Sequence, residues 1–350
     1  MGCGASVPQQ SRNDAPRTPS PPSTSSGDQA AGSSVDTKST PASPARVPRT
    51  IQFQRATSLK LPDLVSRKLE DPTLVLTPDE QLDVLRECIR LGEEHGSSVA
   101  RGKDLLVVIG NTGAGKSTCV NYVDGCKLVK ATPEGAAGTS SGQAVEGRRS
   151  KKVVRVATDS PVQELMKIGH SKKSQTFVPE VKHGVEFVYC DCSGFLDNRG
   201  AEINVANAVN IKVMVSGARS TKVLVLLNYN SLLDARGRGL RELADILISL
   251  FGSAEGLLRH RRSIALGIRQ TPEFDTDGDI ELENVRAEHF SELASLPPAC
   301  REVVQALAPT MFLFSPHDSG NSSWLTREQM VTMLRNLEPI EDSRDIFKMC

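Results

Sequence analysis

The chain has 350 residues, with Lys+Arg and Asp+Glu both at 42, so its formal net charge is zero and no global field favours nucleic acid. Aromatic residues make up only 4%, too few for a surface on which bases stack. No apolar run approaches the ~18 residues of a membrane-spanning helix, and no signal-peptide core follows the N-terminus. The eight cysteines are scattered. Cys190 and Cys192 flank one residue and match no familiar metal or disulfide framework, so a reducing, cytosolic setting is expected.

Met1-Gly2-Cys3-Gly4-Ala5-Ser6 fits M-G-x-x-x-S/T. Gly2 is a candidate for N-myristoylation once Met1 is removed, and Cys3 beside it for S-palmitoylation. Two acyl chains give a stable anchor where one gives a marginal one. The expected location is therefore the cytoplasmic face of a membrane. From Pro8 to about Leu61 large apolar residues are scarce, and eight of the 20 prolines fall in the first 50 residues. Such a segment buries too little surface to offset its ordering entropy, and a disordered tether is expected. Thr18, Ser20, Thr40 and Ser43 precede prolines and are compositional phosphorylation candidates.

Thr77-Pro78-Asp79-Glu80 reads as a capped helix start. Leu82, Val84, Leu85, Cys88 and Ile89 give that helix an apolar face to about Leu91, and Gly92 and Gly96 are expected to end it.

Next comes the most informative stretch, Asp104 to Tyr122. Leu105 to Ile109 form an apolar run of strand length, and Ser117 to Tyr122 can open a helix. Between them Gly110-Asn111-Thr112-Gly113-Ala114-Gly115-Lys116-Ser117 spells G-x-x-x-x-G-K-S, a phosphate-binding loop in its required context. Its glycines let backbone N–H groups converge on an anion. The helix N-terminus behind them, including Thr118, adds partial positive charge. Lys116 suits the β- and γ-phosphates, and the Ser117 hydroxyl suits Mg²⁺.

Residues 132–147 are Gly/Ala/Ser/Thr-rich and without periodicity, which predicts a loop. In nucleotide switches a threonine here completes the Mg²⁺ shell; Thr139 is the candidate, with Ser140 and Ser141 as rivals. The basic run 148–152 leads to an apolar strand at 153–156, and its two readings are a solvated loop end and a contact with anionic lipid. A further strand is expected near 177–181. Val185 to Cys190 reads as a strong strand ending in Asp191-Cys192-Ser193-Gly194. An aspartate at a strand end is what holds Mg²⁺ opposite such a loop, and Gly194 permits a backbone N–H near the γ-phosphate. Helices are expected at 202–216, 240–250 and 326–337, and strands at 223–227, 263–268 and 311–314. This alternation predicts an α/β three-layer sandwich, a mostly parallel sheet with helices on both faces. Ligands then lie at the carboxyl ends of the strands. The expected divisions are a tail at 1–70, an N-terminal helix at 71–100 packing on the main domain, a nucleotide domain at 101–340, and a C-terminal tail at 341–350.

GNTGAGKST, followed by DCSGFLDNRG, resembles the translation-factor-related GTPase class, near the immunity-associated, chloroplast-envelope and septin-like GTPases, over about Leu105–Leu337. The resemblance implies the same roles for Lys116, Ser117, Asp191 and Gly194, and less directly for Thr139. Cys192-Ser193 replaces the Thr-Pro of that class, which is tolerable because the backbone does the binding there, and two further departures stand out. Phe195 occupies the place of a water-orienting Gln, which implies slow hydrolysis or a group supplied by an activating protein or a second copy. Arg199, Arg236 and Arg238 are candidates for such a group, with ordinary surface arginines as the other reading. The guanine motif N/T-K-x-D is replaced by Gly267-Ile-Arg269-Gln-Thr-Pro-Glu273-Phe-Asp275, which leaves Glu273 or Asp275 as acceptors for the base, while the switch-like Asp191-Cys-Ser-Gly194 keeps GTP ahead of ATP. Residues 275–279 lack the ligand spacing of a calcium loop. Three functions remain open: a membrane-tethered GTP switch, a nucleotide-binding scaffold of weak turnover, and an ATP-using phosphotransferase.

Overall fold

The computed structural model describes residues 61–71, 73–131, 153–169, 179–192, 200–233, 238–272, 274–275, 278–290, 293–316, 323–343 and 346. They belong to one compact unit, Arg55–Cys350. In chain order it begins with α1 (Leu61–Glu70) and α2 (Pro78–Gly92), a π-helical turn (Glu93–Ser97) and α3 (Ser98–Ala100). The strand–loop–helix unit follows as β1 (Asp104–Gly110) and α4 (Lys116–Val123), then β2 (Leu128–Ala131), β3 (Val153–Val156), β4 (Glu180–His183) and β5 (Val188–Asp191). After α5 (Ala201–Gly217) come β6 (Ser220–Asn228), α6 (Tyr229–Leu233), α7 (Arg238–Phe251) and α8 (Ala254–Arg259). The chain continues through β7 (Ile264–Arg269), β8 (Phe274–Asp275), β9 (Gly278–Asp279), α9 (Leu282–Phe290), α10 (Pro298–Leu307), β10 (Met311–Leu313) and α11 (Arg327–Asn336).

Six strands form one sheet in the order β10-β7-β6-β1-β5-β4. Every neighbouring pair is parallel except the edge pair β4–β5. Strand β1 lies between β5 and β6 and is buried from Leu105 to Gly110. Its side chains alternate between two cores, as the two-residue period of a strand requires. Leu105, Val107 and Ile109 join α5, α7 and α10 on one face; Leu106 and Val108 join α4 and α11 on the other. The α/β architecture with a mostly parallel sheet is as expected, and helices on both faces are consistent with three layers. Full burial of each such aliphatic side chain is worth about 1.5–3 kcal/mol, so this strand anchors the sheet.

The capped helix start expected at Thr77 forms, and the helix expected at 326–337 opens on a capping box as well. Thr77 accepts from the Glu80 amide while the Glu80 carboxylate accepts from the Thr77 amide, and Thr326 and Gln329 do the same at α11. Other boundaries move. The strand expected at 177–181 lies at 180–183, because it pairs with β5 from His183↔Val188 to Glu180↔Asp191. Residues 185–187 form the turn of that hairpin instead of the start of β5. Strand β6 is longer than its apolar run, 220–228 instead of 223–227, since the β1 register extends to Asp104↔Ser220.

Three expectations are corrected. Residues 61–70, assigned to the tail, form α1, whose Leu64 and Val65 pack with Leu76, Val84 and Cys88 of the α2 region and Ile203 and Ala206 of α5. Of the stretch 341–350, also assigned to a tail, Ser343 and Ile346 are buried, Ile346 in the main core, and the Thr221 and Ser343 hydroxyls share a hydrogen bond of 2.8 Å. Gly92 and Gly96 do not stop the helix, which runs on through the π turn to Ala100. Both glycines face α5. A Cβ on Gly92 would sit 2.2 Å from the Asn210 carboxamide, and one on Gly96 would sit 1.9 Å from Cε of Met214. Here glycine permits two helices to touch. The buried face of α2 is consequently Glu80, Val84, Cys88 and Gly92, while Leu82 is exposed.

Helix propensity alone would have Gly92→Ala stabilise the protein by about 1 kcal/mol. Asn210 is buried and donates to the Cys88 carbonyl at 3.0 Å, so it has little room to retreat. The expected outcome is a loss of about 1–3 kcal/mol from overpacking. Urea denaturation of the variant and the parent reads the sign.

Candidate functional site

The site is built at the carboxyl ends of β1 and β5. Strand β1 ends at Gly110, whose φ of +152° lies on the positive side of the map. A Cβ there would come within 2.3 Å of the Leu226 carbonyl on β6, so the residue is glycine for closeness as well as conformation. The chain then bends back over the sheet. Thr112 and Gly113 are exposed, whereas Ala114 is buried, and the Ala114 amide donates to the Asn111 carbonyl at 3.1 Å. Gly115 has φ +82° and precedes α4 as a cap without a side-chain hydrogen bond. The first amides of α4, with no intrahelical acceptors, are thus left to an outside partner.

Lys116 is buried and its ammonium donates to the carbonyls of Gly110 at 3.0 Å and Asn111 at 3.2 Å. The ammonium is therefore held inside the curl of the loop, close to the unfilled amides. Ser117 and Thr118 follow in the first turn, Thr118 buried. Asn121 holds the same helix in place. Its amide donates to the Met166 carbonyl at 2.6 Å, and its oxygen accepts from the Leu165 amide at 2.7 Å.

Asp191 is the last residue of β5 and pairs with Val108 of β1. This register delivers its carboxylate to Ser117, whose hydroxyl donates to Oδ2 at 2.6 Å across 74 residues of sequence. The other oxygen, Oδ1, is buried without a partner among the described residues. Burial pushes the Asp191 pKa up from 3.8 to about 6, against the opposing pull of the Lys116 charge and the Ser117 hydrogen bond. A hydroxyl and a carboxylate with one unsatisfied oxygen form an all-oxygen donor pair, the chemistry that suits Mg²⁺, which takes one or two protein oxygens beside phosphate and water. Among the described residues no group of three or more His, Cys, Asp or Glu is arranged to hold a metal.

Of the residues singled out from sequence, Gly110 to Thr118 and Asp191 come together. Thr139, Gly194, Phe195, Arg199, Arg236 and Glu273 lie outside the described residues, as do Gly2 and Cys3. Asp275 falls in β8, and its side chain is likewise outside the description. Arg238 starts α7 and bonds Glu242 at 2.9 Å. Sequence reasoning passed over three residues at the ends of β6 and β7. Gln270 has φ +60°, the one positive value among described non-glycine residues, and its amide donates to the Gly113 carbonyl at 3.4 Å. Asn228 in turn donates to the Gln270 amide oxygen. Arg269 lies buried against Gly115. The available signal was an arginine closing a strand that is otherwise apolar, Ile264-Ala-Leu-Gly-Ile-Arg269.

The Cys190 and Cys192 thiols lie 4.0 Å apart on either side of Asp191, both fully buried. No helix of the described residues is long and apolar enough to cross a membrane. Compared with protein-family models and with curated proteins, the chain matches none.

The raised pKa of Asp191 has a defined sign. Between about pH 4 and 6 the folded chain keeps a proton that the unfolded chain has lost, so stability falls as pH rises through this window and levels above it. Two pKa units correspond to about 3 kcal/mol. In urea unfolding without nucleotide or magnesium, Asp191→Asn should gain stability relative to the parent at pH 7 and lose that advantage at pH 4.

Proposed function

We propose that the chain is a Mg²⁺-dependent nucleoside-triphosphate-binding switch of the phosphate-loop GTPase kind, with GTP ahead of ATP. The observation that carries this reading is the convergence of Lys116, Ser117 and Asp191 at the end of β1. The Lys116 ammonium sits on the Gly110 and Asn111 carbonyls, and the Ser117 hydroxyl meets Asp191 at 2.6 Å. A loop of free amides, one buried ammonium and a hydroxyl–carboxylate pair make up a receptor for a polyphosphate with a divalent cation.

In this reading the amides of Gly113 and of Gly115 to Thr118 bind the phosphates, and Lys116 neutralises charge on the β- and γ-phosphates. Ser117 and Asp191 would hold Mg²⁺, which when bound neutralises charge building on the phosphate oxygens. Hydrolysis forms a bond from a water oxygen to the γ-phosphorus and breaks its bond to the β–γ bridging oxygen. Phe195 has no group to orient that water, which supports slow turnover by the chain alone and a role for an activating protein or a second copy. Thr139 and Gly194 would respond to the γ-phosphate. The N-terminal Gly2-Cys3 sequence supports dual acylation and attachment to the cytoplasmic face of a membrane. The weak-turnover scaffold is the second reading, favoured by Phe195 and by a β7 end that lacks the guanine motif.

Calorimetric titration with GTP and ATP in magnesium tests the core of this proposal. Lys116→Ala should weaken triphosphate binding by at least about 100-fold, the ~3 kcal/mol expected for removing one buried charge partner. Failure of the parent protein to bind either nucleotide would refute the proposal. Steady turnover that the Lys116→Ala variant lacks favours the switch, and tight binding without turnover favours the scaffold. For the anchor, Gly2→Ala should move the protein from the membrane to the soluble fraction of cells; an unchanged distribution would count against acylation.

A further inference from the structure

Strand β7 is buried at every position, and its last residue is Arg269. The guanidinium lies on the backbone of the 110–117 loop. A Cβ added to Gly115 would fall 1.2 Å from its Nη1, so the arginine fills the space a side chain there would need. The Arg269 side chain takes part in none of the ion pairs or hydrogen bonds among the described residues, and its buried Nε–H lacks an acceptor. Burial also lowers its pKa from the ordinary value. The group on α4 that interacts with its charge is Cys119, a buried thiol whose pKa is pushed up to about 12 and which therefore carries no charge to balance the arginine. Asp191, the carboxylate of the site, is engaged with Ser117. A largely buried cation without an anion is costly to keep, so chains ordinarily pair such groups or replace them with apolar ones.

We propose that Arg269 is a nucleotide-binding residue whose charge is balanced by the polyphosphate bound in the 110–117 loop. This rests on the reading of that loop as a nucleotide site. The position of the guanidinium against Gly115 puts its charge beside the amides that face the phosphates, within a region of low dielectric where such an interaction is strong. The arginine is then unfavourable to the protein alone and favourable to the complex. That opposition separates the proposal from a purely structural role, in which loss of the side chain would weaken both. It also separates it from recognition of the base, which would leave inorganic polyphosphate unaffected.

The test compares the parent with Arg269→Met and Arg269→Lys by calorimetric titration of GTP, GDP and inorganic triphosphate, and by urea unfolding of each protein alone. Arg269→Met should weaken all three ligands on the order of 10- to 100-fold. Arg269→Lys, which keeps the charge, should recover most of that affinity. Without ligand, Arg269→Met should unfold at the same urea concentration as the parent or a higher one. Unchanged triphosphate affinity in Arg269→Met overturns the proposal. So does a loss confined to the nucleotides, or an Arg269→Met protein that is less stable than the parent or fails to fold while Arg269→Lys binds no better than tenfold below the parent. A parent protein with no affinity for any of the three ligands overturns this proposal and the nucleotide reading together, whereas parent binding that Arg269→Met retains overturns this proposal alone.

Discussion

The position of β1 between β5 and β6 is the constraint from which the site follows. Both of its edges are paired and both of its faces are covered, so it has no freedom to slide. A shift of one residue would exchange the side chains of its two cores. With β1 fixed, Gly110 must emerge at the carboxyl edge of the sheet, and the loop after it must turn back beneath its own helix. The same pairing fixes β5, because Asp191 stands opposite Val108. The meeting of Ser117 and Asp191 is therefore a consequence of sheet register. The short loop places its own hydroxyl, and the neighbouring strand places the carboxylate.

That edge gathers charge in a place where charge is expensive. Lys116, Asp191 and Arg269 are all buried, and each is treated differently. Lys116 is satisfied by two carbonyls of its own loop. Asp191 is half satisfied, with one oxygen on Ser117 and one without a partner, and burial raises its pKa to about 6. Arg269 has no partner among the described residues. A stable interior normally pairs its polar groups. Unsatisfied groups of both signs around one glycine-rich turn are what the proposed ligand, an anion bound to a cation, would satisfy. The strain at Gln270, held against Gly113, belongs to the same edge. Such strain persists where the surrounding structure over-determines a conformation.

The run from Pro78 to Ala100 packs along α5, through glycines that let backbones approach, and α1 closes the same cluster. Helix α5 starts at Ala201, nine residues after Cys192 in the segment that leaves β5. Lys68 of α1 and Glu202 of α5 lie 3.7 Å apart, both nearly buried, so the first turn of α5 is tied to the N-terminal helices.

The order of strand, glycine-rich loop and helix at 104–123, both capping boxes and the alternation that makes a mostly parallel sheet were legible in the residues alone. These signals are local: an apolar run of strand length, glycines at fixed spacing, a threonine three residues before Glu80 or Gln329. The tertiary structure decided the rest. That Gly92 and Gly96 join helices instead of ending one depends on Asn210 and Met214, more than a hundred residues away. That Ile346 belongs to the core depends on its burial against strands whose pairing no local pattern announces. Arg269 reads in sequence as a break in the guanine motif, and only the fold puts it against Gly115. Local propensity is written over a few neighbouring residues, whereas the partner of a buried charge is set by strand register, which the whole sheet fixes at once.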